Sequence, residues 1–191
     1  MKNIYLMRHG ETLFNVQGRT QGWCDSPLTE KGIADAKRAG EFMKNFSVKF
    51  DHFYSSTQER ACDTMELVFP NISYERLKAL KEMNFGQFEG HPQYLEVDNE
   101  QKGTFFAQFG GETRVQVAER MMGALTRICQ QADTQNIFCV SHGAAMWAVV
   151  RRIYDNQVPA HLKGLHNLDM LHFTFDESTD EIKFEELLRT L

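Results

Sequence analysis

A chain of 191 residues is long enough to bury one substantial core, and its ordinary balance of apolar and charged residues predicts a single domain over 1–191. The formal net charge is −5 and no block of Lys and Arg forms a stripe, which argues against a nucleic-acid partner. The longest apolar runs, Ile137 to Val140 and Ala144 to Val150, are far too short to span a bilayer, so no membrane partner is expected.

The chain opens with Ile4-Tyr5-Leu6-Met7, a run that reads as a strand buried on both faces and delivers Arg8, His9 and Gly10 to its C-terminal end. Ligands of open α/β sheets sit at that edge. His9 can serve there as base, metal ligand or nucleophile, and Gly10 lets backbone approach a bound group. Arg8 narrows the choice, because a guanidinium depresses the imidazole's pKa and presents a fork suited to phosphate or carboxylate. Met1-Lys2-Asn3 leads directly into core residues, so no signal peptide is expected.

Leu13 to Leu28 reads as a functional loop, with Asn15, Arg19, Gln21 and Trp23 as pocket contributors. Thr29 is a plausible cap for a helix to about Asn45. Phe50 to Ser55 reads as a second strand, with Ser55-Ser56-Thr57 capping a helix from about Gln58 to Val68. Arg60 falls in its first turn, where a cation opposes the helix dipole; of a solvated surface role and an anion ligand, the second is favoured. A short third strand is predicted over Ile72 to Leu77. Past it comes Glu82, which suits a site, while Glu89 beside Gly90 reads more simply as a turn or cap residue.

From His91 to Gly111 the periodicity fades, which suggests an insertion (91–111) folded over the site and carrying Tyr94, Phe105, Phe106 and Phe109. Those rings could face a substrate or pack on one another. A long helix is predicted from Gly111-Glu112-Thr113 to about Gln131, then a fourth strand over Asn136 to Val140. That strand ends in Ser141-His142-Gly143, much as the first ends in Arg8-His9-Gly10. A helix from Ala144 to Tyr154 follows, with Trp147 as core, and Leu168 to Phe175 and Ile182 to Leu187 suggest a hairpin, or a strand plus tail, at the sheet's edge. His52, His161, His166 and His172 read as solvated or hydrogen-bonded, His166-Asn167 being the nearest to a site, and Glu11 as a brace for the Arg8-His9 loop. Cys24, Cys62, Cys129 and Cys139 show no C-x-x-C spacing, which points to reduced thiols, a cytoplasmic location and no metal.

Arg8, His9, Arg60, Glu82 and His142 all lie at strand–loop junctions that a β-α winding can bring to one edge. Two arginines and two histidines suit a dianion, and a carboxylate can supply a proton. This is a parts list for phosphoryl transfer through a phosphohistidine.

The segments that carry these residues resemble the histidine phosphatase superfamily, the phosphoglycerate mutase-like family, and its phosphatase branch in particular. They are Arg8-His9-Gly10-Glu11-Thr12 running on to Gly32, Ser55 to Thr64, Glu82 to Gly90, Gly110-Gly111-Glu112-Thr113 and Ser141-His142-Gly143. The resemblance implies a three-layer α/β/α sandwich with a mostly parallel central sheet, an antiparallel edge strand and a short insertion over the active site. It further implies that His9 attacks phosphorus, that Arg8, Arg60 and His142 hold the equatorial oxygens, that Asn15 and the Gly143 N–H add donors alongside Gln21 and Gly22, and that Glu82 is the proton donor. No cofactor or metal is implied.

Within that family a mutase needs extra positive charge after the acid, whereas here Glu96, Asp98 and Glu100 outweigh Lys102, and Gln21 stands where mutases usually carry a small hydroxyl residue. The expectation is therefore a histidine acid phosphatase-type phosphomonoesterase (EC 3.1.3.-). It would act on a small-molecule phosphate monoester with an apolar or aromatic body, contacted by Phe105, Phe106, Phe109 or Trp23, and be a monomer or homodimer. A phosphoglycerate mutase-type transferase and a non-catalytic phospholigand- or protein-binding module are the alternatives.

Overall fold

The computed structural model describes residues 1–98, 101–131, 133–159, 162 and 164–191; Glu100 and His161, named above, lie outside them. Six strands form one sheet: β1 (Lys2–Arg8), β2 (His52–Ser56), β3 (Glu75–Leu77), β4 (Asn136–Ser141), β5 (Met170–Asp176) and β6 (Glu181–Leu188), in the spatial order β3-β2-β4-β1-β5-β6. The four strands from β3 to β1 pair in parallel, while β5 runs antiparallel to both β1 and β6. The expected edge is thus a hairpin.

Alternation within β1 decides the layering. Ile4 and Leu6 pack with α4 (Arg114–Cys129) and α5 (Gly143–Ile153), whereas Tyr5 and Met7 pack with α2 (Glu30–Lys44) and α3 (Glu59–Val68) on the opposite face. A strand covered by helices on both sides must be apolar throughout, which is why this run shows no polar alternation. The result is the three-layer sandwich. Among the described residues no helix is long and apolar enough to cross a membrane.

Several boundaries differ from expectation for local reasons. The β3 strand is confined to Glu75–Leu77, because it is a charged edge strand paired only with the end of β2 and the chain turns away at Lys78–Leu80. The hydroxyls of residues 55–57 do not cap α3; its cap residue is Gln58, whose side chain makes no capping bond and reaches instead to Gly22 and Glu82. The loop after β1 contains a short helix, α1 (Leu13–Val16), opened by a reciprocal Thr12–Asn15 capping box. Thr113 and Gln116 form the same device at α4.

Candidate active site

Parallel pairing aligns Arg8 of β1 with Ser141 of β4, so the residues that follow each strand, His9 and His142, emerge side by side with ring centroids 5.2 Å apart. Both rings are buried. His9 Nδ1 lies 2.8 Å from the Gly10 carbonyl, which can only accept, so the proton sits on Nδ1 and the Nε2 lone pair is free to attack. Burial, then the charges of Arg60 and Arg8, hold the His9 pKa well below its usual 6.5. Burial, then Arg60 and His9, do the same to His142. Two neutral imidazoles therefore sit among fixed cations. Gly10 also lies close to the protein, since a Cβ there would meet the Gly32 carbonyl at 3.2 Å.

Glu82 comes to the same point from the far side of the sheet. Its N–H donates to Gln58, its carbonyl accepts from Trp23 and Arg120, and its carboxylate accepts backbone N–H groups from Met83, Ala144 and Ala145 at 2.7 to 2.9 Å. The carboxyl thus rests on the N-terminus of α5, where the helix dipole favours negative charge. Burial outweighs those bonds, and the Glu82 pKa is raised. A raised acid beside lowered imidazoles is an acid–base division of labour.

Orphaned atoms mark where a ligand would go. Among the described residues six buried side-chain nitrogen or oxygen atoms lack a partner, and four of them are Arg8 Nε, Arg60 Nε and both ring nitrogens of His142. Native proteins rarely leave such groups unsatisfied, and these belong to the three residues around His9. A cavity of about 660 Å³ is lined by Arg8, His9, Glu82 and Gly143, while Arg60 and His142 lie behind its wall.

The expected ligands divide. Asn15 lines the cavity with its carboxamide oxygen taken by Thr12 N–H and Asn167 Nδ2. Arg60 is buried, but its terminal nitrogens hold the carbonyls of Gly22 and Cys24 and the carboxylate of Asp25. Gln21 lines the cavity with its amide bonded to Thr12 and Ser26. The Gly22 N–H donates to Glu89 and its carbonyl accepts from Gln58 and Arg60. Gly143 brings α5 close to Arg8, since a Cβ on it would lie 3.3 Å from Arg8 Nε.

The phenylalanines of the insertion pack with Phe88 and one another, Phe106 being fully buried, while Tyr94 is exposed, and none of Tyr94, Phe105, Phe106, Phe109 or Trp23 lines the cavity. The insertion reaches the wall through Gln93, Glu96 and Lys102 instead. Trp147, expected in the core, is half-buried and lines the cavity. Glu11 accepts from Thr29 and so fastens the start of α2 to the loop after His9. Glu89 accepts from the N–H groups of Gly22, Trp23, Cys24 and Phe85, more than a turn residue needs.

Sequence alone does not point to Gln58, Arg120 or Asn167. Asn167 donates to the His9 carbonyl and to Asn15, and its only signal is its place beside His166. Gln58 and Arg120 sit among helix residues of ordinary type.

The family model for the histidine phosphatase superfamily (branch 1) matches residues 4–186. The chain belongs to that superfamily. Among its relatives is the uncharacterized phosphatase PhoE of Bacillus subtilis, 29% identical over 185 residues, which cover 96% of this chain and 93% of that one. A 2,3-bisphosphoglycerate-dependent phosphoglycerate mutase of Elusimicrobium minutum is 40% identical over 95 residues, but these cover only 47% of this chain and 38% of the mutase. Among solved structures, a mutant phosphoserine phosphatase of Entamoeba histolytica in complex with phosphoserine superposes with a TM-score of 0.83 at 27% identity, covering 100% of this chain and 98% of that one. Histidine phosphatases of both phosphatase and mutase type are thus similar to this chain.

Proposed function

We propose that this histidine phosphatase is a cytoplasmic phosphomonoesterase that hydrolyses a small phosphorylated metabolite through a covalent phosphohistidine, without a metal. The observation that carries the reading is the ring of buried, unpartnered nitrogens from Arg8, Arg60 and His142 around the free Nε2 of His9. A phosphoryl group bound there would receive charge-assisted hydrogen bonds on its oxygens while His9 attacks in line. The Asn15 amide and the Gly143 N–H at the head of α5 add donors.

In the first step the His9 Nε2–P bond forms as the ester P–O bond breaks, and Glu82 gives its proton to the departing alkoxide. In the second, Glu82 takes a proton from water, whose oxygen displaces His9 from phosphorus. Burial and a nearby phosphate dianion both favour the protonated Glu82 that the first step requires. Met83, Phe85, Trp147, Val158 and Leu165 on the wall suit an alcohol with an apolar body.

The test is an assay of purified protein on an aryl phosphate and on 3-phosphoglycerate, each with chelator present. Hydrolysis that resists the chelator is expected. Efficient isomerisation of 3-phosphoglycerate with negligible hydrolysis would replace this reading with a mutase.

A further inference from the structure

The main chain that carries Glu82 is supported by neither a helix nor a strand. Residues 81–85 lie between short turns over Lys78–Leu80 and Gly86–Phe88, and β3 has already ended at Leu77. Backbone groups that leave regular structure inside a protein still need partners, and here side chains supply them. The Leu80 carbonyl accepts at 2.8 Å from the hydroxyl of Ser141, the residue before His142. The carbonyls of Ala79, Lys81 and Glu82 all accept from one guanidinium, that of Arg120 on α4.

Arg120 is used to capacity. Its five N–H groups make five hydrogen bonds of 2.7 to 2.9 Å, three to those carbonyls and two, from Nε and Nη2, to the two carboxylate oxygens of Glu112. Glu112 Oε2 also accepts from the Asn84 N–H, and the Glu112 N–H donates to the Asn84 carbonyl, both at 2.8 Å. The chain is thus held on both sides of Glu82. Gly111 permits this approach, since a Cβ there would lie 2.5 Å from the Asn84 carbonyl. A lysine could not replace the arginine, because a single ammonium cannot reach a carboxylate and three carbonyls at once.

Arg120 does not line the cavity, whereas Glu82 does. The Glu82 carboxylate rests on the Ala144 and Ala145 N–H groups at the head of α5. Two helices therefore meet at one residue: α4 holds its main chain through Arg120, and α5 holds its carboxyl.

We propose that Arg120, locked onto Glu112, is a positioning residue for the reaction, fixing the Glu82 main chain so that the carboxyl stays on the head of α5 and within reach of the departing ester oxygen. This rests on the phosphomonoesterase reading above and adds a residue that acts only through Glu82.

The test compares kcat/KM for propyl phosphate, whose leaving group needs a proton, with that for 4-nitrophenyl phosphate, whose leaving group does not. Arg120→Met is expected to slow the first on the order of a hundredfold and the second by less than about tenfold. Adding Glu82→Gln to it should cost little more on propyl phosphate, because both changes remove the same proton. Arg120→Lys keeps the charge without the fork and should show the same selectivity at smaller amplitude, which also serves if the methionine variant does not fold. Lys2→Met, which frees the Cys129 and Gln131 carbonyls at the opposite end of α4, should lower the melting temperature and leave the ratio of the two esters unchanged. In nitrogen-15 spectra the Ala144 and Ala145 amide signals of Arg120→Lys should move toward their positions in Glu82→Gln. Equal losses on the two esters, full additivity with Glu82→Gln, or unmoved Ala144 and Ala145 signals would overturn the proposal. Failure of the phosphatase reading is seen separately, as wild-type protein that cleaves neither ester while those amide signals still follow Arg120.

Discussion

At the scale of single residues the site is a set of protonation states imposed by burial. His9 and His142 stay neutral in the folded chain well below 6.5, where the unfolded chain would protonate them. Their contribution to stability is therefore full above pH 6.5 and is lost as pH falls below it, because the unfolded state then binds protons the native state refuses. Stability should therefore fall between pH 7.5 and 5.5, and urea denaturation of wild type against His142→Gln should show the variant losing less over that interval. Glu82 has the opposite sign: its raised native pKa gives a contribution present below its usual 4.5 and lost as pH rises through the native value. As the proposed general acid it should matter most for poor leaving groups. Glu82→Gln is expected to slow an alkyl phosphate by roughly a hundredfold or more and 4-nitrophenyl phosphate by much less; equal losses on the two esters would remove it from that role. Arg8, His9 and His142 were legible in sequence because each directly follows or ends an apolar run, and Glu82 because it lies just past a predicted strand. Gln58 and Asn167 were not, because what they do is hold other residues' backbone, and nothing in their own neighbourhood records it.

At the scale of elements, α5 does three things with one helix. Its N-terminal amides seat Glu82, its first residue lets Arg8 approach, and its half-buried stripe carries Trp147 and Arg151 along the cavity. Gly143→Ala should therefore push the Arg8 guanidinium aside and lower kcat/KM on the order of 10- to 100-fold, with little change in melting temperature. A thermal melt alongside steady-state kinetics separates the two effects. At α4 the Thr113–Gln116 capping box gives a purely structural prediction: Thr113→Ala should cost about 1 kcal/mol in denaturant unfolding. Both helices could be read from apolar spacing to within a residue or two. The insertion could not, since its phenylalanines carry no period that distinguishes a pocket wall from a local cluster. They became a cluster because Phe85, Phe88, Phe105, Phe106 and Phe109 bury one another more fully than an open cavity could.

At the scale of the molecule, the parallel sheet brings distant segments to one edge and the C-terminal hairpin locks them there. The β1 strand is flanked by β4 and β5, and the loop before β5 returns to the site, with Leu168 N–H donating to the Arg8 carbonyl and Arg8 N–H to Asp169. Arg189, just after β6, pairs with the buried Asp169 and with the Gly164 carbonyl, so the end of the hairpin fastens the loop that carries Asn167. Arg189→Ala should destabilise the fold by about 1 to 2 kcal/mol, less than a fully buried pair because Arg189 is 43% exposed, and should lower activity although Arg189 does not itself line the cavity. A melting curve and kcat/KM on the same variant check both parts. That the hairpin would sit at the edge was readable from its alternation; that it braces the site depends on ion pairing across the sheet, which spacing does not encode. The central claim concerns His9, and it is tested most directly by trapping. Glu82→Gln protein should be exposed briefly to an aryl phosphate labelled in its phosphoryl group, quenched in alkali and mapped by peptide. The expected result is alkali-stable, acid-labile label on His9. Turnover of the ester with no label at His9 would contradict it.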